Sequence, residues 1–144
     1  MRIVVLVGLP GSGKSTWLET RGVHALSSDA IRLLLLDDET SQHANERVFL
    51  TLRYLLRQRL ALAAPVTYID ATNLTVEERR AYIAIGRTFG CEMEAILFDV
   101  PLEVCRERNA LRRRIVPEEA MLRLAARLTP PSLDEGFHKV TVVK

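Results

Sequence analysis

The run Arg2–Val7 ("RIVVLV") is apolar at every position after the first, and "GLPGSGKST", Gly8 to Thr16, follows it without a gap. An apolar run of this length reads as a strand buried on both faces, which requires a sheet covered by helices on both sides. Gly8, Gly11 and Gly13 then end the strand in a tight bend, and Ser15–Glu19 is expected to open a helix. Gly8, Gly13, Lys14 and Ser15 fit the spacing G-x-x-x-x-G-K-[ST], with a strand before and a helix after, which is the setting that a phosphate-binding loop needs.

The remaining chain repeats the alternation of strand and helix. Val23–Leu26 reads as a short strand, and Ser27, Ser28 and Asp29 offer cap chemistry for the next helix. Between Ala44 and Ala63, Val48, Leu52, Leu55, Leu56 and Leu60 recur at helical spacing. Val66–Asp70 is a third strand. Thr75 caps a helix, with Glu78 at the capping-box offset, that runs to about Phe89 and stops at Gly90. Glu94–Val100 is a fourth strand. A helix from Pro101 is expected to run on to about Arg114, another spans Pro117 to about Arg127, and His138–Val143 is the last strand. Strands alternating with helices imply crossover connections, hence a parallel sheet in a three-layer α/β fold. Ligands of such sheets bind beyond the carboxyl ends of the strands.

Composition narrows the classes. A chain of 144 residues, 48% hydrophobic, suits a single domain over residues 1–144 with a full core. The net charge is only +2, but 17 of the 20 basic residues are Arg, whose planar fork suits phosphate and carboxylate. Cys91 and Cys105 lack metal-ligand spacing and are expected to be buried, reduced thiols. No stretch approaches the roughly 20 apolar residues of a membrane span, and the first run is too short for a secretion signal. A cytoplasmic location without membrane partners is expected.

The chemistry gathers at strand ends. Gly8, Pro10, Gly11, Ser12, Gly13, Lys14, Ser15 and Thr16 would cradle the phosphates of a nucleoside triphosphate on inward-facing N–H groups at a helix N-terminus. Lys14 would reach the β- and γ-phosphates and Ser15 would ligate Mg²⁺. The N-K-x-D guanine-recognition motif is missing, which points to ATP. Asp29 follows the second strand, with Arg32 on the same helical face; this carboxylate could accept the proton of an attacking hydroxyl while Arg32 meets acceptor phosphate or developing charge. Asp70 ends the third strand where an acid sits beside Mg²⁺ and could hold Ser15, while Thr72 and Asn73 shape the turn or touch an acceptor. In "RERNALRRR", Arg106, Arg108, Arg112, Arg113 and Arg114 crowd together. Arg108 and Arg112 would share a helix face, and the cluster reads as an arginine-bearing lid over about 103–127.

Taken together, "GLPGSGKST", "SSDAIR", "DATNLTVEERR", "VPLEVCRERNALRRR" and "PPSLDEGF" resemble the kinase domain of the polynucleotide kinase family. The resemblance implies a five-stranded parallel sheet in the order 2-3-1-4-5. It also implies transfer of the ATP γ-phosphate to the 5′-OH end of DNA or RNA, a single-stranded partner being the acceptor. On matching positions, Asp29 would be the general base, Arg32 would contact acceptor phosphate, and Arg108 and Arg112 would meet the ATP phosphates, although the Arg112–Arg113–Arg114 run blurs the lid spacing. A small-metabolite or nucleotide-sugar kinase, and a non-catalytic ATP-binding switch, stay open as alternatives. Tyr82 and Phe89 fall in a helical pattern and read as core, so the sequence displays no aromatic stacking platform.

Overall fold

A computed structural model of the chain describes residues 1–113 and 115–144. Its strands are β1 (Arg2–Val7), β2 (Ala25–Ser27), β3 (Val66–Asp70), β4 (Glu92–Phe98) and β5 (Lys139–Val143). Its helices are α1 (Lys14–Thr20), α2 (Ser28–Leu36), α3 (Asn45–Ala61), α4 (Val76–Phe89), α5 (Leu102–Ala110) and α6 (Glu118–Arg127), with a 3₁₀ turn at Leu133–Glu135. Among the described residues the five strands form one sheet in the order β2-β3-β1-β4-β5, every neighbouring pair parallel. That is the three-layer architecture and strand order expected from the sequence.

β1 lies in the centre, paired with β3 on one side and β4 on the other. Its side chains alternate between two cores, which explains why both faces are apolar. Ile3, Val5 and Val7 pack with the α3 stripe (Val48, Leu52, Leu56, Leu60) and with Tyr82, Ile83 and Ile85 of α4. Val4 and Leu6 face the opposite layer, against Leu18 and Trp17 of α1 and Ile96 and Phe98 of β4. A third cluster, Leu9, Leu74, Cys105, Val116 and Met121, seats α5 and α6 beside the loop that follows β1. Both cysteines are buried and free. No helix among the described residues is long and apolar enough to cross a membrane.

Local chemistry sets the helix ends. Ser27 Oγ accepts from Ala30 N at 3.2 Å and caps α2, so the Asp29 carboxylate is not spent on capping. Thr75 Oγ1 accepts from Glu78 N at 3.1 Å, while Glu78 Oε2 accepts from Leu74 N at 2.9 Å, one residue before the usual capping-box partner. Gly90 ends α4 in the left-handed region at φ 71°.

Several boundaries differ from the sequence reading: β2 covers Ala25–Ser27 where Val23–Leu26 is expected, and β4 ends at Phe98, short of Val100. β4 starts at Glu92, two residues early, because Cys91 N bonds Gly86 O and Glu92 N bonds Met1 O as soon as α4 has stopped. The helix from Pro101 does not reach Arg114; α5 ends at Ala110, and Arg112 and Arg113 lie in the turn beyond it. The cause is Asn109, buried at the helix end. Its Nδ2 donates to Val116 O at 2.7 Å and its Oδ1 accepts from Val116 N at 3.0 Å, folding the chain back on itself. Arg108 and Arg112 therefore do not share a helical face. Arg114 lies outside the described residues.

Candidate active site

The connections leaving β1 and β3 run to opposite sides of the sheet, so the crevice at their carboxyl ends is the topological switch point. The loop Gly8–Gly13 fills it. Gly8 N donates to Thr72 O at 3.0 Å, tying the loop to the end of β3. Gly13 takes φ 100° as the N-cap of α1, a conformation that favours glycine, and no side chain caps this helix. Its first turn thus directs backbone N–H groups into the cleft. Gly11, at φ 82°, rests against α5 so closely that an added Cβ would stand 2.4 Å from Cys105 O.

Lys14 is buried, and its Nζ donates to Gly8 O at 2.7 Å and Leu9 O at 3.0 Å. Burial pulls its pKa down from 10.5 to about 8, opposed chiefly by the Asp70 charge and reinforced by Arg112. Ser15 Oγ donates to Asp70 Oδ2 at 3.3 Å. Burial pushes the Asp70 carboxyl up, while Lys14 and the Ser15 hydroxyl pull it back. Ser12 is buried and packs under Gly8, whose added Cβ would meet Ser12 Oγ at 2.6 Å. Pro10 and Thr16 line the same cleft, which encloses about 2180 Å³.

Across the cleft, Asp29 sits in the first turn of α2. Arg32 Nη1 donates to its Oδ1 at 2.9 Å, and Arg32 Nη2 donates to Asn45 Oδ1 at 2.8 Å. Asn45 Nδ2 in turn donates to Gln42 Oε1 at 3.0 Å. Arg32 is only 3% exposed, so this chain fixes the carboxylate from behind. Arg112 approaches the other Asp29 oxygen, Nη2 to Oδ2 at 4.0 Å, and its buried Nη1 has no hydrogen-bond partner among the described residues. Arg108 lies over the loop: a Cβ on Gly13 would be 3.6 Å from its Nη1.

Most residues singled out from sequence therefore meet in one cleft: the loop, Asp70, Asp29, Arg32, Arg108 and Arg112. Arg113 does not, being exposed and directed to Glu39 Oε1 at 3.6 Å, and Arg106 pairs with Glu118 of α6. Asn73 is a turn former: it is buried at φ 49° and donates from Nδ2 to Leu6 O at 2.8 Å, pinning the end of β3 beneath the loop. Sequence reasoning missed Asn45, 13 positions from the arginine it holds, because no spacing rule links them. It also missed Arg79, wholly buried, which donates to both Glu135 oxygens at 2.8 and 2.9 Å and to Asn73 O at 2.9 Å.

The cleft can hold polyphosphate on the loop, with an oxygen pair (Ser15 and Asp70) at one edge and a braced carboxylate opposite. A family model described as "AAA domain" matches residues 3–131. The chain is similar to the bifunctional polynucleotide phosphatase/kinase of Schizosaccharomyces pombe, 28% identical over 150 residues, covering 98% of this chain and 33% of that protein. It thus spans about a third of that relative's length. Among solved structures it is similar to a chain of the Pnkp1/Rnl/Hen1 RNA repair complex, at TM-score 0.74 and 23% identity, covering 88% of this chain and 43% of that one. Chaetomium thermophilum Kti12 in complex with ADP-AlF3 shares the fold at TM-score 0.73 and 19% identity, covering 98% and 88%. With nine-tenths of its length matched, and the glycine loop, sheet order and braced carboxylate in one cleft, the chain belongs to the AAA domain family, as a P-loop domain of the kinase type.

Proposed function

We propose that this chain transfers the γ-phosphate of ATP to an acceptor hydroxyl, and that the acceptor is the 5′-OH end of DNA or RNA. The observation that carries the reading is the Asp29 carboxylate, held at 2.9 Å by Arg32 across the cleft from the loop. A nucleotide switch has no use for a braced carboxylate there. The similarity to a polynucleotide phosphatase/kinase supports the acceptor. So does the cleft, whose lining reaches beyond Asp29 to Phe49 and Arg53 of α3.

In this reading the N–H groups from Gly11 to Thr16 and the Lys14 ammonium hold the triphosphate. Asp29 orients the acceptor hydroxyl and takes its proton as the new O–P bond forms; the bond from Pγ to the bridging oxygen breaks and ADP leaves. Arg108 and Arg112 stabilise charge on the transferring group, and the segment 103–127 that carries them acts as a lid. Arg32 is a positioning residue, since both its terminal nitrogens are engaged by Asp29 and Asn45. Ser15 and Asp70 present the hard oxygen donors that Mg²⁺ prefers alongside substrate phosphates, so they would hold the ion. When bound, it would supply charge neutralisation at the phosphates.

The test is incubation with labelled ATP and a panel of 5′-OH oligonucleotides, nucleosides, sugars and nucleotide sugars. Oligonucleotides should be labelled, and Asp29→Ala should lower kcat by about 10²–10⁴-fold with ATP binding retained. Labelling of one small metabolite with none of the oligonucleotides would overturn the acceptor, and undiminished transfer by Asp29→Ala would overturn the base.

A further inference from the structure

Three observations concern a surface that the phosphate chemistry leaves unused. First, the Asp29–Arg32–Asn45 chain reaches the first residue of α3, and Phe49 and Arg53, one and two helical turns on, line the same cleft. Residues 45, 49, 53 and 57 fall four apart, so they form one stripe beside the buried stripe Val48, Leu52, Leu56 and Leu60. Second, a smaller groove of about 260 Å³ between α3 and α4 begins where the cleft ends. Arg53 and Ala81 line both, and Arg57 lies further along. Ala81 and Ala84 of α4 keep this groove open, since a larger side chain at either would fill it. Third, neither Arg53 nor Arg57 is ion-paired among the described residues, whereas Arg106, Arg112, Arg113 and Arg127 all face carboxylates. Two unpaired guanidinium groups, one helical turn apart in a groove, repel each other unless an anion runs between them.

We infer that the α3 stripe is the track of the acceptor strand: Phe49 carries a base next to the reacting end, and Arg53 and Arg57 take successive backbone phosphates. This rests on the polynucleotide reading of the same cleft. Asn45 to Arg57 spans three helical turns, ~18 Å, enough for several nucleotides beyond the one at Asp29. The contacts are a ring face and charges, so the track is tolerant of sequence and selects for length. Glu77 and Glu78 also border the cleft, and Arg127 occupies Glu78 at 2.5 Å. These acids would favour entry along the α3 side over the α4 side.

The experiment uses the full chain with 5′-OH oligonucleotides of two, three, four, six and ten nucleotides. It reads kcat and KM together with binding of 3′-fluorescein oligonucleotides by anisotropy at several salt concentrations. For the wild type, KM should fall with length up to about four to six nucleotides and then level off. Arg53→Gln and Arg57→Gln should each shrink the ratio of decamer to dinucleotide kcat/KM by ~3- to 10-fold, and should each reduce the salt slope of binding by about 0.7. Phe49→Ala should weaken decamer binding by ~5-fold or more. Phe49 also packs on the core, so Phe49→Leu, which keeps the packing and loses the ring, is compared with it by thermal melting; a binding loss in both supports stacking. Equal KM for all lengths, or Arg53→Gln and Arg57→Gln that leave both the length ratio and the salt slope unchanged, would overturn the track while oligonucleotide labelling itself stands. If no oligonucleotide is labelled, the track and the polynucleotide reading fall together.

Discussion

Arg32 and Asp29 meet at 2.9 Å across one turn of α2, and the second terminal nitrogen of the same guanidinium is tied to Asn45 at 2.8 Å. A buried cation with two anchors holds the carboxylate in a single orientation, and only a planar fork can serve both at once. Arg32→Lys should therefore lower kcat by ~10-fold or more with KM for ATP little changed. Asn45→Ala should lower kcat in the same direction and by less, because one anchor survives. Initial rates at saturating ATP check both. A change confined to KM for the acceptor would instead make Arg32 a binding group.

Lys14 makes stability depend on pH. Its folded-state pKa of about 8 lies below the ordinary 10.5, so the unfolded chain binds more protons between those values. Stability from this group should rise as pH climbs from about 8 towards 10.5, and the burial penalty should be fully present below pH 8. Lys14→Met should raise Tm more at pH 7 than at pH 10, less whatever the two loop hydrogen bonds contribute. Phosphate arriving at the loop should restore the proton. Calorimetry at pH 8.5 in buffers of different ionisation enthalpy should register proton uptake on ATP binding.

Asn109 carries the turn that delivers Arg112. Asn109→Ala would leave both Val116 N and Val116 O without their partner in a buried setting, at a cost of about 1–3 kcal/mol. Urea unfolding should read that loss. Transfer rate should fall further than stability alone accounts for, because Arg112 would lose its place beside Asp29.

Arg79 and Glu135 form a buried, doubly bonded pair that joins α4 to the segment before β5. Removing one partner, as in Glu135→Ala, should cost about 3–5 kcal/mol, since Arg79 would keep a buried, uncompensated charge. The double variant Arg79→Met/Glu135→Leu should recover part of that loss. A double-mutant cycle by denaturation measures the coupling.

Much of this was readable from residue patterns. β1 betrays its central place by being apolar on both faces, and the glycine spacing with Lys14 and Ser15 locates the crevice. Asp29 and Asp70 stand out in the sequence because one follows a strand and the other ends one. The failures share a physical cause, in that side chains remote in sequence overrode local pattern. Helical periodicity through "RERNALRRR" is unbroken on paper, yet Asn109 bonds to Val116 and ends α5 early. Asn45 looks like an ordinary first helical residue until Arg32 reaches it. Phe49 sits beside the core stripe of α3, where an aromatic is indistinguishable from packing unless the cleft is seen.

The contact between Gly11 and Cys105 has a mechanical meaning. α5 is seated backbone against backbone on the glycine loop, with no side chain between them to yield. A side chain at position 11 would thereby push away the helix that carries Arg108 over the loop. Arg112 lies past the end of that helix, where the same displacement would reach it through the turn. Four positions apart in the chain, Arg108 rides on the helix that touches the loop, and Arg112 on the turn that Asn109 ties to Val116.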